Sequence, residues 1–436
     1  MPDKSKSVHR FWFMLGLIVA GEAVFLLPYY PTRFFRPTVL EIFELTNTEL
    51  GAAQGIYGIM ALFGYFLGGP LADRFPARNL LATSLWTTAA GGLYMATFPD
   101  FRGALALWGF FGLTTILLFW AALIRATREW GGRTTQGRAY GLLDGGRGLL
   151  GAISTSIAVW TFGLAFPDGY AAASFTEKQE ALRVVIYGYT AVTAATGAFV
   201  WFVVKDGRPP VEPGLTAWKP QTEGVVTHIF RVMRIRAVWL QAIVILCAYV
   251  GYKGFENYSL FAVQGYGVDA VRAAELVTLA AWTRVLAPFA FGMLGDRYFA
   301  SRMSAIAFVL LLASHLFFAL TTPVPSFLWI LFGNILVGAA AIYGLRGLYF
   351  ALLEEAKVPA AVTGTTIGIV SVVGFTPDIF VAYLGGMLLD RSPGLLGHQH
   401  YFMFLASFAA GGVVASTALM RLLHPSNRQN RAPGPG

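Results

Sequence analysis

Charge and cysteine are what this chain has least of. Of its 436 residues, 13% are charged and one is a cysteine, while 56% are hydrophobic. A soluble domain carries about 25% charged residues, so this composition excludes an ordinary soluble globule. The single cysteine, Cys247, lies inside an apolar run and excludes a disulfide framework and any multi-cysteine metal site. It reads as a packed thiol. The six histidines, His9, His228, His315, His398, His400 and His424, are scattered, and only His398 and His400 stand close together. No metal-ligand spacing, no nucleophile motif and no phosphate loop of the Gly-x-x-x-x-Gly-Lys-Ser/Thr type occurs. An enzyme, a cofactor and direct drive by ATP are therefore not expected. No cleavable signal peptide is expected either, because the apolar run after Arg10 is too long and no small-residue cleavage site follows it.

Long apolar runs are what the chain has in quantity. They begin near Phe11, Gly51, Leu80, Ala104, Ala139 and Val184, then near Ala237, Ala273, Met303, Phe327, Val362 and Tyr401. Each is close to the roughly 20 residues that a membrane-spanning helix needs. The fold class is thus an all-α membrane protein with twelve spans. One long polar stretch, Lys205 to Arg236, carries Pro209, Pro210, Pro213 and Pro220 and divides the spans six and six. The expected organisation is a bundle over 1–204, a cytoplasmic linker over 205–236 with a short amphipathic helix near Val225 to Arg234, a second bundle over 237–423 and a cytoplasmic tail over 424–436.

The net charge of +9 resembles a nucleic-acid signal until it is placed on the chain. Of the 32 Lys and Arg, 21 fall in the terminal segments and alternate loops on one side and 7 on the other. Cytoplasmic loops hold the excess of basic residues, so both termini are expected inside. Arg147, Lys253, Arg284 and Arg346 are left within apolar runs.

The two halves share a device. Gly69, Leu71, Asp73, Arg74 and Arg78 follow span two, and Gly292, Leu294, Asp296, Arg297 and Arg302 follow span eight. Gly137 and Gly141 open span five as Gly364 and Gly368 open span eleven. The first segment resembles the loop motif of the major facilitator superfamily, and the resemblance covers essentially the whole chain. It implies two pseudo-symmetric six-helix bundles, a midplane substrate site lined by helices one, four, seven and ten, and transport by rocking of the halves. It also implies that Asp73, Arg74 and Arg78, with Asp296 and Arg297, gate the cytoplasmic side. A carboxylate stabilises a helix amino terminus and bridges an arginine, which suits that role.

Ionisable residues in spans cost about 3 kcal/mol or more unless they are paired or face water, so each is a candidate. Tyr29, Tyr30 and Arg33 end span one, and span seven carries Tyr249, Tyr252, Lys253, Glu256 and Asn257. Arg33 precedes Asp73 by 40 residues and Lys253 precedes Asp296 by 43. Two cations at matching places in the two halves suit an anionic solute. The pattern is similar to the organophosphate:phosphate antiporter branch of the superfamily, whose helices one and seven clamp a phosphate. It departs from that branch in having Tyr65 where a lysine stands, and Lys253 where an arginine stands. A second resemblance, carried by Trp120, Arg125, Arg128, Asp144 and Arg147, is to a bacterial permease group of largely unassigned substrate.

The expected binding set is Arg33, Lys253, Arg346, Tyr30, Tyr65, Tyr252, Glu256 and Asn257. Lys253 and Glu256 stand one turn apart and allow a local pair, as do Asp144 and Arg147. Asp144, Arg147 and Arg284 join the gating set. Glu22, Glu256 and Asp378 are the intramembrane carboxylates able to carry a proton. The function expected is secondary transport of a phosphate ester, carboxylate or sulfonate, driven by proton symport or anion exchange, by a monomer in the plasma (inner) membrane. The alternative is a proton-coupled drug or metabolite exporter of the same fold, which would put acids rather than cations in the cavity.

Overall fold

The computed structural model describes residues 4–132, 136–204, 233–356 and 363–424. Most of the expected linker, its amphipathic helix included, and the tail after His424 lie outside the described residues. Twelve spans are present, in the order expected. Those of the first half are Lys4–Phe34, Asn47–Arg74, Ala77–Met95, Phe101–Gly131, Gln136–Leu164 and Phe175–Val203. Those of the second half are Arg236–Tyr266, Ala270–Tyr298, Ala300–Leu320, Leu328–Glu355, Val370–Arg391 and Leu395–Leu423. Among the described residues, ten of the helices are long and apolar enough to cross a membrane by length and composition. Spans three and five are the more polar pair. Their polar groups turn inward: Ser84 and Thr88 of span three bond Thr114 in span four, and Arg147 of span five is buried.

Helices start before the apolar runs do, because polar first turns supply the caps. Span six begins nine residues ahead of Val184, where Ser174 and Glu177 form a capping box. Thr46 and Glu49 form another at span two, and Asp100 and Asp269 cap spans four and eight. Such side chains satisfy N–H groups that a helix start leaves unpaired.

Several spans are interrupted at membrane depth. Span four carries a π segment, Leu113–Trp120. Span seven tightens to a 3₁₀ turn over Phe255–Asn257. Span eleven breaks at Phe375 and Thr376 and restarts at Pro377, with Asp378 in the new first turn. Pro28 and Pro31 interrupt span one's hydrogen-bond ladder. Irregular backbone at membrane depth is tolerated where it is buried in protein or lines a wet cavity.

Spans two and eleven make the closest inter-lobe packing. A Cβ added at Gly55 would lie 2.7 Å from the Ile379 carbonyl oxygen, and one at Gly58 would lie 2.6 Å from the Asp378 carbonyl carbon. Gly51 against Ala382 and Gly386 against Asn47 are equally close. Small residues let membrane helices approach to backbone contact.

Candidate functional site

The lobes meet from mid-membrane to the end opposite the amino terminus. At that far end Asp390 of span eleven accepts from the backbone and side chain of Thr48 (2.7 and 2.6 Å) and from Asn47 Nδ2 (3.0 Å) at the start of span two. At mid-membrane Trp282 donates to Ser156 Oγ (3.1 Å), and Tyr65 stacks on Phe375 with centroids 6.2 Å apart. Towards the amino-terminal end the gating candidates Asp73, Arg74, Asp296 and Arg297 are exposed, and among the described residues none of them makes an ion pair. Arg78 stacks on Trp201 of its own lobe, 4.7 Å from the ring centroid.

Between these ends lie two buried charge clusters. The one nearer the joined end centres on Glu256. Its Oε1 accepts from Lys253 Nζ (2.7 Å) and from Arg33 Nη2 across the lobe boundary (3.4 Å), and its Oε2 accepts from Gln54 Nε2 (2.8 Å). Lys253 Nζ also lies 3.4 Å from Asp378, which accepts from Tyr249 Oη (2.9 Å). The Arg33 guanidinium packs over the Tyr252 ring and donates to its hydroxyl (3.2 Å), while Lys253 Nζ sits 4.6 Å above Tyr29. Arg33 and Lys253 are each 3% exposed, so neither lies at a lipid surface. The 3₁₀ turn of span seven brings this about, placing Lys253 and Glu256 on one side and turning Asn257 towards Tyr401 (2.8 Å).

The second cluster, nearer the amino-terminal end, centres on Glu22 of span one. Arg284 of span eight grips it with two bonds (2.6 and 2.9 Å), Arg147 of span five lies 3.4 Å away, and Tyr30 donates to it from two turns on. Arg147 also reaches Asp144 (3.7 Å) and donates to the Gly21 carbonyl (2.9 Å). A fork of two parallel bonds to a carboxylate is the strongest geometry an arginine offers.

Arg346 of span ten stands apart from both. Its guanidinium lies over Tyr252, 4.3 Å from the ring centroid, and its charge reaches Asp144 and Tyr65 of the facing lobe. Among the described residues it makes no hydrogen bond or ion pair.

Some participants had no advance signal. Gln54, Asn47, Thr48 and Asp390 join the lobes without being charged residues in mid-span, and Arg36, buried at the far end, donates to Asn47 (3.4 Å). His315 is buried against Phe402, and Cys247 is a buried thiol.

Twelve spanning helices, two lobes joined over part of their facing surfaces, and ionisable side chains buried between them define a polytopic solute transporter rather than an enzyme. The chain belongs to the Major Facilitator Superfamily, whose family model matches residues 11–382. It is 25% identical over 425 residues to the inner membrane protein YihN of Escherichia coli K12, covering 96% of this chain and 97% of that one. To the inner membrane protein YqcE of the same organism it is 28% identical over 411 residues, covering 93% of each. Among solved structures it is similar to a bacterial homologue of the human lysosomal transporter Spinster, captured inward-facing and unoccupied, with TM-score 0.72, 14% identity and coverage of 98% and 99%. It is also similar to the nucleoside transporter NupG, with TM-score 0.67, 14% identity and coverage of 94% and 99%. The chain is thus a multi-pass integral membrane transporter working by alternating access.

Proposed function

We propose that this transporter moves a small organic anion (a phosphate ester, carboxylate or sulfonate) across the inner membrane, as a monomer with both termini cytoplasmic. The lobes that rock are residues 1–204 and 237–423, joined by the linker 205–236 and followed by the tail 424–436. With the amino terminus inside, the joined end is the outer one and the present conformation opens inward. The gating role assigned to Asp73, Arg74, Arg78, Asp296 and Arg297 then belongs to the opposite conformation, in which the amino-terminal end closes.

One observation carries the choice of an anion. Five cations, Arg33, Arg147, Lys253, Arg284 and Arg346, lie between the lobes against four carboxylates, Glu22, Asp144, Glu256 and Asp378, and the cation in excess is accessible. The same balance disfavours a drug exporter, which needs a free acid in the cavity. Tyr30, Tyr65, Tyr252 and Asn257 shape the site around these charges. Glu22, Glu256 and Asp378 remain the groups through which a proton would couple, with anion exchange as the other drive.

The test is uptake into proteoliposomes of labelled phosphate esters, sugar acids and carboxylates, with and without a pH gradient or internal phosphate. Wild type should accumulate at least one anion, and Lys253→Ala, which leaves Glu256 and Asp378 short of a countercharge, should reduce that uptake at least about tenfold. Uptake of neutral solutes alone, or indifference to Lys253→Ala, would refute the reading.

A further inference from the structure

The charges between the lobes, all buried or nearly so except the half-exposed Asp144 and Arg346, which keeps some access to solvent, can be paired off one by one. Glu256 and Asp378 stand against Arg33 and Lys253, at 3.4, 2.7 and 3.4 Å. Glu22 and Asp144 stand against Arg284 and Arg147, at 2.6, 3.4 and 3.7 Å. Both sets are neutral. Arg36 lies beyond them in the sealed far end and is 1% exposed. Arg346 is left over: it keeps access to solvent, and Tyr252 covers one face of it. One turn further along span ten the Tyr349 hydroxyl is buried and has no hydrogen-bond partner, and it lies within electrostatic reach of Arg346. A cation whose nearest acid, Asp144, is already paired with Arg147, and a buried hydroxyl without a partner one turn away, are two independent signs of an absent ligand.

We infer that Arg346 and Tyr349 form the anion-binding position and that the substrates are organic monoanions. This rests on the anion reading above and narrows it. A guanidinium presents a planar fork that fits a carboxylate, a sulfonate or a phosphodiester equally well. A second negative charge on the solute would have to draw Arg33, Lys253 or Arg284 away from a buried carboxylate, and that carboxylate would then stand uncompensated. Recognition of a dianionic phosphate monoester by Arg33 and Lys253 together is excluded on this reading, because both already serve Glu256 and Asp378.

The experiment offers the purified, reconstituted transporter chemically matched pairs at pH 8: phosphomonoesters with their methyl diesters, aldonic with aldaric acids, and benzoate with phthalate. The neutral alcohols of the same bodies complete each set. Uptake of the monoanion should exceed that of its dianion partner by about tenfold or more. Arg346→Gln should abolish anion uptake, Arg346→Lys should restore part of it, and Tyr349→Phe should raise KM more than it lowers kcat. Arg346→Gln leaves no buried carboxylate unpaired, so its thermal midpoint in detergent should match wild type. Dianions carried as well as monoanions, or anion uptake unchanged in Arg346→Gln, would overturn the inference while leaving the anion reading intact. Uptake confined to the neutral alcohols would overturn both.

Discussion

The two charge clusters are built to one plan with the lobes exchanged. In each, a glutamate on the first span of a lobe accepts one cation from its own lobe and one arginine from the other. Glu22 has Arg147 at home and Arg284 across the boundary; Glu256 has Lys253 at home and Arg33 across it. The strengths are reversed. The cross-lobe partner is the tight one at Glu22, bound twice at 2.6 and 2.9 Å, and the loose one at Glu256, at 3.4 Å. Glu256 therefore stays compensated by Lys253 at 2.7 Å when the outer contact opens, whereas Glu22 keeps from its own lobe only the looser Arg147 contact at 3.4 Å and the Tyr30 hydroxyl. The outer cluster suits a gate that must part, and the inner one suits a pivot that holds.

The most direct way to break this comparison is to remove each hub. Glu22→Ala strands Arg284, while Arg147 keeps Asp144 and the Gly21 carbonyl, and breaking a buried pair by deleting one partner costs about 3–5 kcal/mol. It should give the largest fall in thermal midpoint in detergent. Glu256→Ala leaves Lys253 with Asp378, so its loss should be smaller, about 1–3 kcal/mol. Equal losses, or the reverse order, would end the distinction between pivot and gate.

The next effect concerns closure rather than stability. Gly55 and Gly58 have no room for a side chain while spans two and eleven touch. Gly55→Leu should keep the outer end apart and abolish transport while the protein still elutes as a folded species. Spin labels at Arg102→Cys and Arg391→Cys, both exposed at that end, on a Cys247→Ala background should then report a longer distance than in the parent. An unchanged distance would mean that the outer glycines are not the closing surface.

Much of this was legible in the sequence, and the line between readable and unreadable is one of chain separation. Apolar runs locate the spans because lipid demands about 20 apolar residues each, whatever the tertiary packing. Their starts are misplaced where polar caps precede the run, as at Ser174 and Thr46. The local pairs Lys253 with Glu256 and Asp144 with Arg147 follow from i,i+3 spacing. Glu22 and Arg284 are separated by 262 residues and Arg33 and Glu256 by 223, and no local pattern announces either meeting. Gln54 and Asp390 escape notice for a second reason: each looks ordinary until the facing lobe supplies its partner. The π segment of span four is equally silent, since Leu113–Trp120 is as apolar as any helix.

The smallest expected effect sharpens the outer side of the comparison. Asp390 holds span two from the other lobe through four hydrogen bonds to Asn47 and Thr48, two of them from backbone N–H groups at the helix start. A carboxylate at that position gains from the helix dipole as well as from the bonds, and about 1 kcal/mol is the usual scale for such a half-exposed contact. Asp390→Asn retains the shape but loses the charge. It should therefore leave the thermal midpoint within about a degree or two, because span two keeps its own capping box at Thr46 and Glu49. The same 1 kcal/mol acts differently on an equilibrium between joined and parted outer ends, shifting the ratio about fivefold. With the labels at Arg102→Cys and Arg391→Cys, the long-distance population should rise by that factor in Asp390→Asn. A lower thermal midpoint with no change in the distance distribution would show that Asp390 braces span two instead of closing the gate.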